Sequence, residues 1–411
     1  MQNNEKEPKV KILRTRVPKT VICPFCGMRQ PFRKETGYWR TIKDMNLDEP
    51  VLLKIQMVCA KCLNPVCKKG SFSLPVSGIE KYARATIRLK KESVATIIED
   101  NSTLPRAGKR LSRSFNTTGS KSSIDRWKHR EADKYDIKDI IARLDFSGVL
   151  SLDEYWPRRS STPDFISGDG LKCRILYAEN VPERSYKYVK AHLEKIKELG
   201  INPWLIIFDT WKPFPGAARE VFPNILIQID YFHIMKVVHW HLRNALAEYR
   251  KMLKEQENSL HKVLWKNRKL ILKNLDEQTQ EQRIETRFTL SLFKGTVVED
   301  IITFKEWIRD IFLCSRDKQD ALNRRNRLYA DKWHLKNRHF RFIMKYLMSH
   351  VFNYMTTYLE HPGVPRSGNS ENLISVWRQM ESVRYGFKSN KGALDHLKLY
   401  QISKYLEGKF P

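Results

Sequence analysis

The sequence predicts a multidomain α/β protein, and three observations carry that expectation. The 411 residues are 41% hydrophobic, enough to build cores in more than one domain at ~100–200 residues each. Five of the seven cysteines fall between positions 23 and 67, which marks a small metal-stapled module apart from the rest. Near residue 146 the texture changes from polar helical stretches to short apolar runs bounded by turn residues.

In chain order, residues 1–22 are polar and basic without periodicity and read as a mobile arm. Residues 23–75 hold the cysteine module. Residues 76–145 carry apolar positions at three- and four-residue spacing, in GIEKYARATIRLKKES and in SSIDRWKHREADKYDIKDIIARL, and predict a basic helical region. From 146 to 239, GVLSLDEYW, PDFISGDG and LKCRILYAEN predict three consecutive strands. SYKYVKAHLEKIKELG predicts a helix closed by Gly200, and INPWLIIFDTW a buried strand. PFPGAAREVF and NILIQIDYFH then predict a short helix and a last buried strand. A meander extended by parallel crossovers is the ribonuclease-H-like layout. Residues 240–350 read as an all-helical, strongly basic insertion. HPGVPRSGNS breaks that pattern, and 351–411 is expected to complete the core with a helix opening at Ser370.

Lys and Arg number 75 against 46 Asp and Glu, a formal net charge of +29. A polyanion is therefore the leading partner class. No apolar run approaches the ~20 residues of a membrane span. The first residues, MQNNEKEPKVKILRTR, lack the apolar core of a secretory signal. Sparse, clustered cysteines do not make a disulfide scaffold. The expected location is the cytoplasm, in association with the nucleoid.

Cys23-Pro-Phe-Cys26 and Cys59-Ala-Lys-Cys62 are two CxxC pairs. Each such turn offers two thiolates, and four close a tetrahedral Zn(II) site with no open position, so the ion is expected to be structural. Cys67 is an alternative ligand. Cys173 and Cys314 stand alone in apolar contexts and are expected in cores.

Asp153 and Asp209 each end a hydrophobic strand. A carboxylate there is costly unless paired, and two on neighbouring strands suggest a shared Mg(II), which prefers oxygen ligands. Glu154 is the alternative to Asp153, and an N-cap role is the alternative for Asp209. A third acid is expected from a helix: Glu371, in the first turn after a capping Ser, where negative charge is favoured. Glu381 and Asp395 are fallbacks. Asp169, in SGDG, reads as a turn residue.

The strings LDEYW, IIFDTWKPFPGAAREVFPNILIQIDYFHIMK and SGNSENLISVWRQMESVRYGF resemble the DDE transposases of prokaryotic insertion sequences, most closely the ISL-three group. That resemblance implies an N-terminal zinc ribbon, a helix-turn-helix region, a ribonuclease-H-like core and an all-helical insertion before the last acid. It implies Asp153, Asp209 and Glu371 as catalytic residues holding two Mg(II) ions, with Mn(II) tolerated, and structural Zn(II). Asp230 and His233 belong to its Asp-x-Phe-His string, and with Glu154 and Asn372 they are expected to support the catalytic acids. The partner it implies is double-stranded DNA, at terminal inverted repeats and target, handled by a homodimer or larger synaptic complex. The segment before Glu371, Ser367-Gly368-Asn369-Ser370, is shorter than the family's usual form.

Arg126, Lys128 and Arg130 suit a recognition helix in the major groove. Arg324, Arg325, Arg327, Lys336, Arg338 and Arg341 suit phosphate contacts, which position DNA without reading it. Trp265 and Trp333, in basic helices, are expected in cores.

Overall fold

The computed structural model describes residues 9–46, 51–117, 119–157, 160–382 and 387–406. The chain forms two units, residues 1–144 with 377–411, and residues 145–376.

The first unit opens with β1 (Lys9–Arg14), β2 (Thr20–Ile22), β3 (Arg29–Pro31), β4 (Lys34–Lys43), β5 (Val51–Lys61) and β6 (Ser71–Ser73). β5 is central: β1 pairs with it in parallel, β4 and β6 antiparallel. Its alternation buries Val51, Leu53, Ile55 and Met57 against Ile42, as a period of two requires. Much of the expected mobile arm is therefore ordered, because β1 satisfies its backbone on the edge of β5. The hairpin β2–β3 brings Val21 and Cys23 against Val58, Ala60, Phe72 and Leu74 in a second small core.

Helices α1 (Ile87–Ile98), α2 (Leu104–Phe115), α3 (Lys121–Ala132) and α4 (Ile137–Arg143) follow. Thr86, Thr103, Ser120 and Asp136 cap them through their side chains, each worth about 1 kcal/mol. Residues 78–86, expected to be helical, are turns instead. There Lys43 bridges to Ala85, and Thr86 and Arg88 both donate to Asp44, at 2.7 and 2.6 Å.

The second unit carries β7 (Val149–Tyr155), β8 (Asp164–Asp169), β9 (Arg174–Asn180), α5 (Tyr186–Glu198), β10 (Leu205–Phe208), α6 (Pro213–Val221) and β11 (Leu226–Ile229). The sheet order is β11-β10-β7-β8-β9, with β7–β8–β9 an antiparallel meander and β10 parallel to both β7 and β11. All four residues of β10 are buried, as in a parallel strand covered on both faces. The next part of the unit is helical: α7 (Tyr231–Glu255), α8 (Leu260–Leu272), α9 (Gln280–Leu292), α10 (Val297–Leu313), α11 (Lys318–Ala330), α12 (Trp333–Lys336), α13 (Arg338–Leu347), α14 (Phe352–Met355) and α15 (Thr357–Glu360). They share one core around Val238, Leu242, Phe304, Ile308, Phe340 and Met344. Trp333 lies in it, stacked on Phe304. Trp265 does not: it is half exposed, with the Arg250 and Arg268 guanidinium groups 4.1 and 3.6 Å from its ring centre. Cys314 is exposed and Cys173 half-buried, so neither is a core residue.

α16 (Ser370–Ser382) begins in the second unit, and α17 (Asn390–Gln401) belongs to the first. The segment after residue 376 thus joins the N-terminal helices, where 351–411 as a whole was expected to complete the core. Apolar burial drives this, with Leu399 packing among Leu89, Ile97, Leu111 and Ile124. Lys391 adds a bond to Asp133 at 2.9 Å.

Candidate active site

The strand register decides where the acids stand. Phe208 lies opposite Leu152 on β7 and opposite Ile229 on β11. Asp153, Asp209 and Asp230 are the next residues of those three parallel strands, so they stand side by side at their C-terminal ends. In open α/β sheets that is where ligands are bound. Asp153 shares its face of β7 with Ser151, two residues back.

The segment leading into α16 crosses this face. A Cβ on Gly368 would come within 2.9 Å of Ser151 Oγ and 3.0 Å of Ile207, and one on Gly168 within 2.6 Å of Leu373. Only glycine lets the backbone pass so close. Asp230 fixes the crossing. Its carboxylate accepts from the Phe232 amide at 2.8 Å, capping α7, and from the Gly368 amide at 3.1 Å. Asn369 donates to Gly170 O at 2.8 Å. Asp230 is thus a buried anchor, and Glu371 stands exposed in the first turn of α16.

Asp153 is buried, and its Oδ2 lies 3.3 Å from His233 Nε2. The pair is not aligned as a hydrogen bond, and both atoms are buried without another partner. Burial by itself would depress the His233 imidazole. The Asp153 carboxylate outweighs it, with Asp230 and Asp209 adding to the effect, and its pKa rises. Arg184 joins the neighbouring acids: Nε donates to Glu154 Oε1 at 2.6 Å and Nη2 to Asp209 Oδ2 at 2.8 Å. Its guanidinium lies over Trp211, 4.4 Å from the ring centre. Burial pushes Glu154 up to about 7 against the pull of Arg184. Burial also raises Asp209, with Arg184 again opposing and Asp153 adding to the rise. Asp209 also accepts from the Trp211 amide at 2.8 Å, so it holds the turn before α6 as well as the Arg184 guanidinium.

The structure therefore gathers Asp153, Glu154, Asp209 and His233. It adds Arg184, which the sequence reading missed; nothing in VPERSYK marks it. Tyr346, from α13, was missed as well: burial raises its phenol, and Thr210 and Asp209 are its polar neighbours. Glu381 is buried and Asp395 is bonded to His129 at 2.6 Å, both in the other unit. Asn372 is exposed. Asp169, expected in the turn, is the last residue of β8, and its carboxylate holds the turn that follows by accepting from Ser147, Leu171 and Lys172.

A second constellation resembles a nucleophile triad but is sealed. Ser167 bonds His192 at 2.8 Å and His192 bonds Glu179 at 2.6 Å, yet Ser167 and His192 have no exposed surface. It ties β8 and β9 to α5.

Among the described residues, one set of three or more Cys, His, Asp or Glu side chains has all donor atoms within 4.8 Å: Cys23, Cys26, Cys62 and Cys67. Cys23–Cys67 and Cys26–Cys62 Sγ distances are 3.9 and 3.7 Å. A tetrahedron with Zn–S of about 2.3 Å has edges of about 3.8 Å, so the four thiols fit Zn(II). The Met28 amide lowers Cys26 to about 7, while burial and the neighbouring thiols push Cys62 up to about 12 against the Asn64 amide. Cys59, the expected partner of Cys62, is replaced by Cys67. Cys59 sits within β5, where its Sγ is 3.4 Å from Ser73 Oγ. The turn that presents two thiols is Cys62–Cys67, just beyond the strand.

The basic residues divide. Arg126 and Arg130 are exposed and line a cavity of about 500 Å³ with Lys43, Arg84 and Trp127. Lys128, expected beside them, is 7% exposed and points inward, 3.4 Å from Asp125. Arg324 and Lys336 pair with Asp320 and Asp300, and Arg338 with Glu248. Arg325 and Arg327 lie over Phe352 and Trp307. Arg341 reaches His334 O at 3.5 Å. Among the described residues, no helix is long and apolar enough to cross a membrane.

A mixed sheet with carboxylates at the ends of its parallel strands, in a chain that also carries a cysteine-rich module and a net charge of +29, fits the class of enzymes that act on polyanions. The particular family follows from comparison with known proteins. Residues 150–392, more than half the chain, match the profile of a transposase family, the ISL-three group of DDE transposases, and the chain belongs to that family. It is a transposase of the insertion-sequence type, a DNA-processing enzyme. No curated protein matches it.

Proposed function

We propose that this transposase binds the terminal inverted repeats of its element, cleaves the DNA there with divalent metal, and joins the freed 3′ end to target DNA. The observation that carries the reading is the alignment of Asp153 and Asp209 on adjacent parallel strands, with Asp153 Oδ2 buried and lacking any hydrogen bond. An orphaned buried carboxylate oxygen is costly and suits a hard cation. Asp153, Asp209 and Glu371 are the residues that would hold two Mg(II) ions. Bound there, the ions would activate the attacking oxygen and stabilise the leaving one.

The protein's own contribution is positioning. Asp230 anchors the start of α7 and the approach to α16, fixing Glu371 relative to the sheet. His233 stands 3.3 Å from Asp153, whose charge favours the protonated imidazole. Glu154 and Arg184 keep Asp209 in place. In strand transfer the 3′-hydroxyl oxygen forms a new bond to phosphorus as the target's 3′ oxygen leaves.

The sheet of residues 146–239 is read as a ribonuclease-H-like core and 240–350 as its helical insertion. Residues 23–75 are read as a zinc ribbon, and 76–145 as a helix-turn-helix-like reader using Arg126 and Arg130. Two element ends need at least a dimer. The test is to incubate purified protein with Mg(II) or Mn(II) and the genomic DNA flanking its gene, then map 3′ ends and joined products. Discrete cuts at an inverted repeat plus joined products, lost in Asp153→Ala, are expected. Cuts without joining make it a nuclease; binding without metal-dependent cuts leaves a DNA-binding protein.

A further inference from the structure

The cavity of about 500 Å³ in the first unit gathers cations from four stretches of chain: Lys43 at the end of β4, Arg84 in the turn before α1, Lys90 in α1, and Arg126 and Arg130 in α3. Ser120 and Ser123 add hydroxyls at the start of α3. No Asp, Glu, Asn or Gln side chain lines it. Lysine and arginine donate and do not accept, so apart from hydroxyls the polar lining offers donors alone. Two acids lie close by. Glu80 pairs with Lys90 and also feels the charges of Lys134 and Arg130. Asp125 is turned to Lys128 and His129, at 3.4 and 3.6 Å. Among the described residues, Arg84, Arg126 and Arg130 form no ion pair.

The backbone fixes these cations relative to one another. The Lys43 amide donates to Arg84 O at 3.0 Å, and the Thr86 amide to Lys43 O at 3.1 Å. The Arg40 guanidinium donates to Ala83 O. Tyr82 takes a left-handed conformation, φ 62°, uncommon for a bulky residue. Strain of that kind persists where the surroundings over-determine it, as these bonds do. Arg126 and Arg130 are one turn apart on α3, about 6 Å between their Cβ atoms, so each can meet a different phosphate. A site fixed in this way loses less freedom on binding.

We infer that this cavity grips the phosphodiester backbone of DNA, with the sheet of the cysteine module and α3 holding it together. A phosphate presents acceptor oxygens, which suits a donor lining, whereas base edges mix donors and acceptors. Arg84, Arg126 and Arg130 are exposed, which leaves the cavity open to a continuous strand. The inference rests on DNA being the partner. It deepens the role given to residues 76–145, making the backbone the contact of Arg126 and Arg130 and adding Lys43 and Arg84 to it.

The test is fluorescence anisotropy of the full-length, zinc-loaded protein without Mg(II) or Mn(II). One duplex carries the DNA flanking the gene and the other a scrambled sequence, each titrated between ~50 and ~200 mM salt. Arg84→Ala is expected to lower the slope of log K against log salt by about one, and the affinity by the same factor, on both duplexes, while Arg84→Lys keeps the slope. Lys251→Ala, an equal charge loss at a side chain that is 80% exposed, is expected to leave the slope unchanged. Arg84 is exposed and its bond to Lys43 is made by the main chain, so the variant keeps the fold, with a Tm equal to wild type. An unchanged slope in Arg84→Ala, or the same fall in Lys251→Ala, overturns the grip. A loss confined to one duplex makes Arg84 a base contact and overturns it too. Inorganic tripolyphosphate is the rival occupant: one-to-one binding by calorimetry, lost in Arg84→Ala while the DNA slope stays, assigns the cavity to a free anion instead. Metal-dependent cleavage by a protein whose Arg84→Ala variant binds DNA like wild type removes the grip and leaves the proposed function. The expected salt slopes without any cleavage do the reverse.

Discussion

Removing Arg184 tests the acidic site without touching any of its carboxylates. Arg184 makes two charge-assisted bonds, to Glu154 and Asp209, whose side chains are 5% and 17% exposed. Breaking one side of a buried pair costs about 3–5 kcal/mol. Protonation limits that loss, because a stranded carboxylate can neutralise at 1.36 kcal/mol per pKa unit. Glu154 is already raised to about 7 with Arg184 in place. Its folded pKa exceeds its unfolded one, so the folded state binds more protons between pH ~4.5 and ~7 and loses stability as pH rises through that window. Without Arg184 the window extends upward. Arg184→Ala is therefore expected to be near wild type at pH 5 and to lose about 3 kcal/mol at pH 8. That is a Tm fall of roughly 6–12 °C for a unit of this size. Millimolar Mg(II) or Mn(II) should restore part of it, and more in the variant than in wild type, because the guanidinium no longer competes for the acids. Thermal unfolding from pH 5 to 8, with and without metal, measures both. A Tm equal to wild type at pH 8, or a metal shift larger in wild type, refutes the clamp.

Other expectations follow from the same geometry. Cys67→Ser should abolish the one equivalent of zinc that elemental analysis is expected to find in the wild type, while Cys59→Ser should retain it; the opposite pattern restores the CxxC pairing. Gly168→Ala, whose Cβ would press within 2.6 Å of Leu373 and 2.8 Å of Arg174 O, should destabilise by about 1–3 kcal/mol and reduce cleavage more than DNA binding. Asp230→Ala should cost about 2 kcal/mol through the α7 cap and the freed Gly368 amide; denaturant titration would detect it. His192 lowers Glu179 against its burial, so its contribution to stability is full above pH ~4.5 and is lost as pH falls through the lower folded value. Glu179→Gln should flatten that acid limb.

Local sequence chemistry determined much of this protein. Period-two and continuous apolar runs marked β7 to β11 in the right order, since an apolar strand bounded by turn residues has few other folds. Gly200 and Ser370 marked helix ends, and the strand-end positions of Asp153 and Asp209 followed from the same runs. Tertiary structure decided what depends on neighbours distant in sequence. The choice of Cys67 over Cys59 depends on where β5 ends, because a thiol inside a paired strand cannot turn with its neighbour toward a common ion. Lys128 is buried by the packing phase of α3, and Trp265 is half exposed with two guanidinium groups against its ring. The strand at residues 9–14 required β5 as a partner, and α17 packs with the N-terminal helices, where Leu399 joins their apolar cluster. Arg184 was invisible in the sequence for the same reason: a guanidinium acquires a role only when the fold lays two carboxylates beside it.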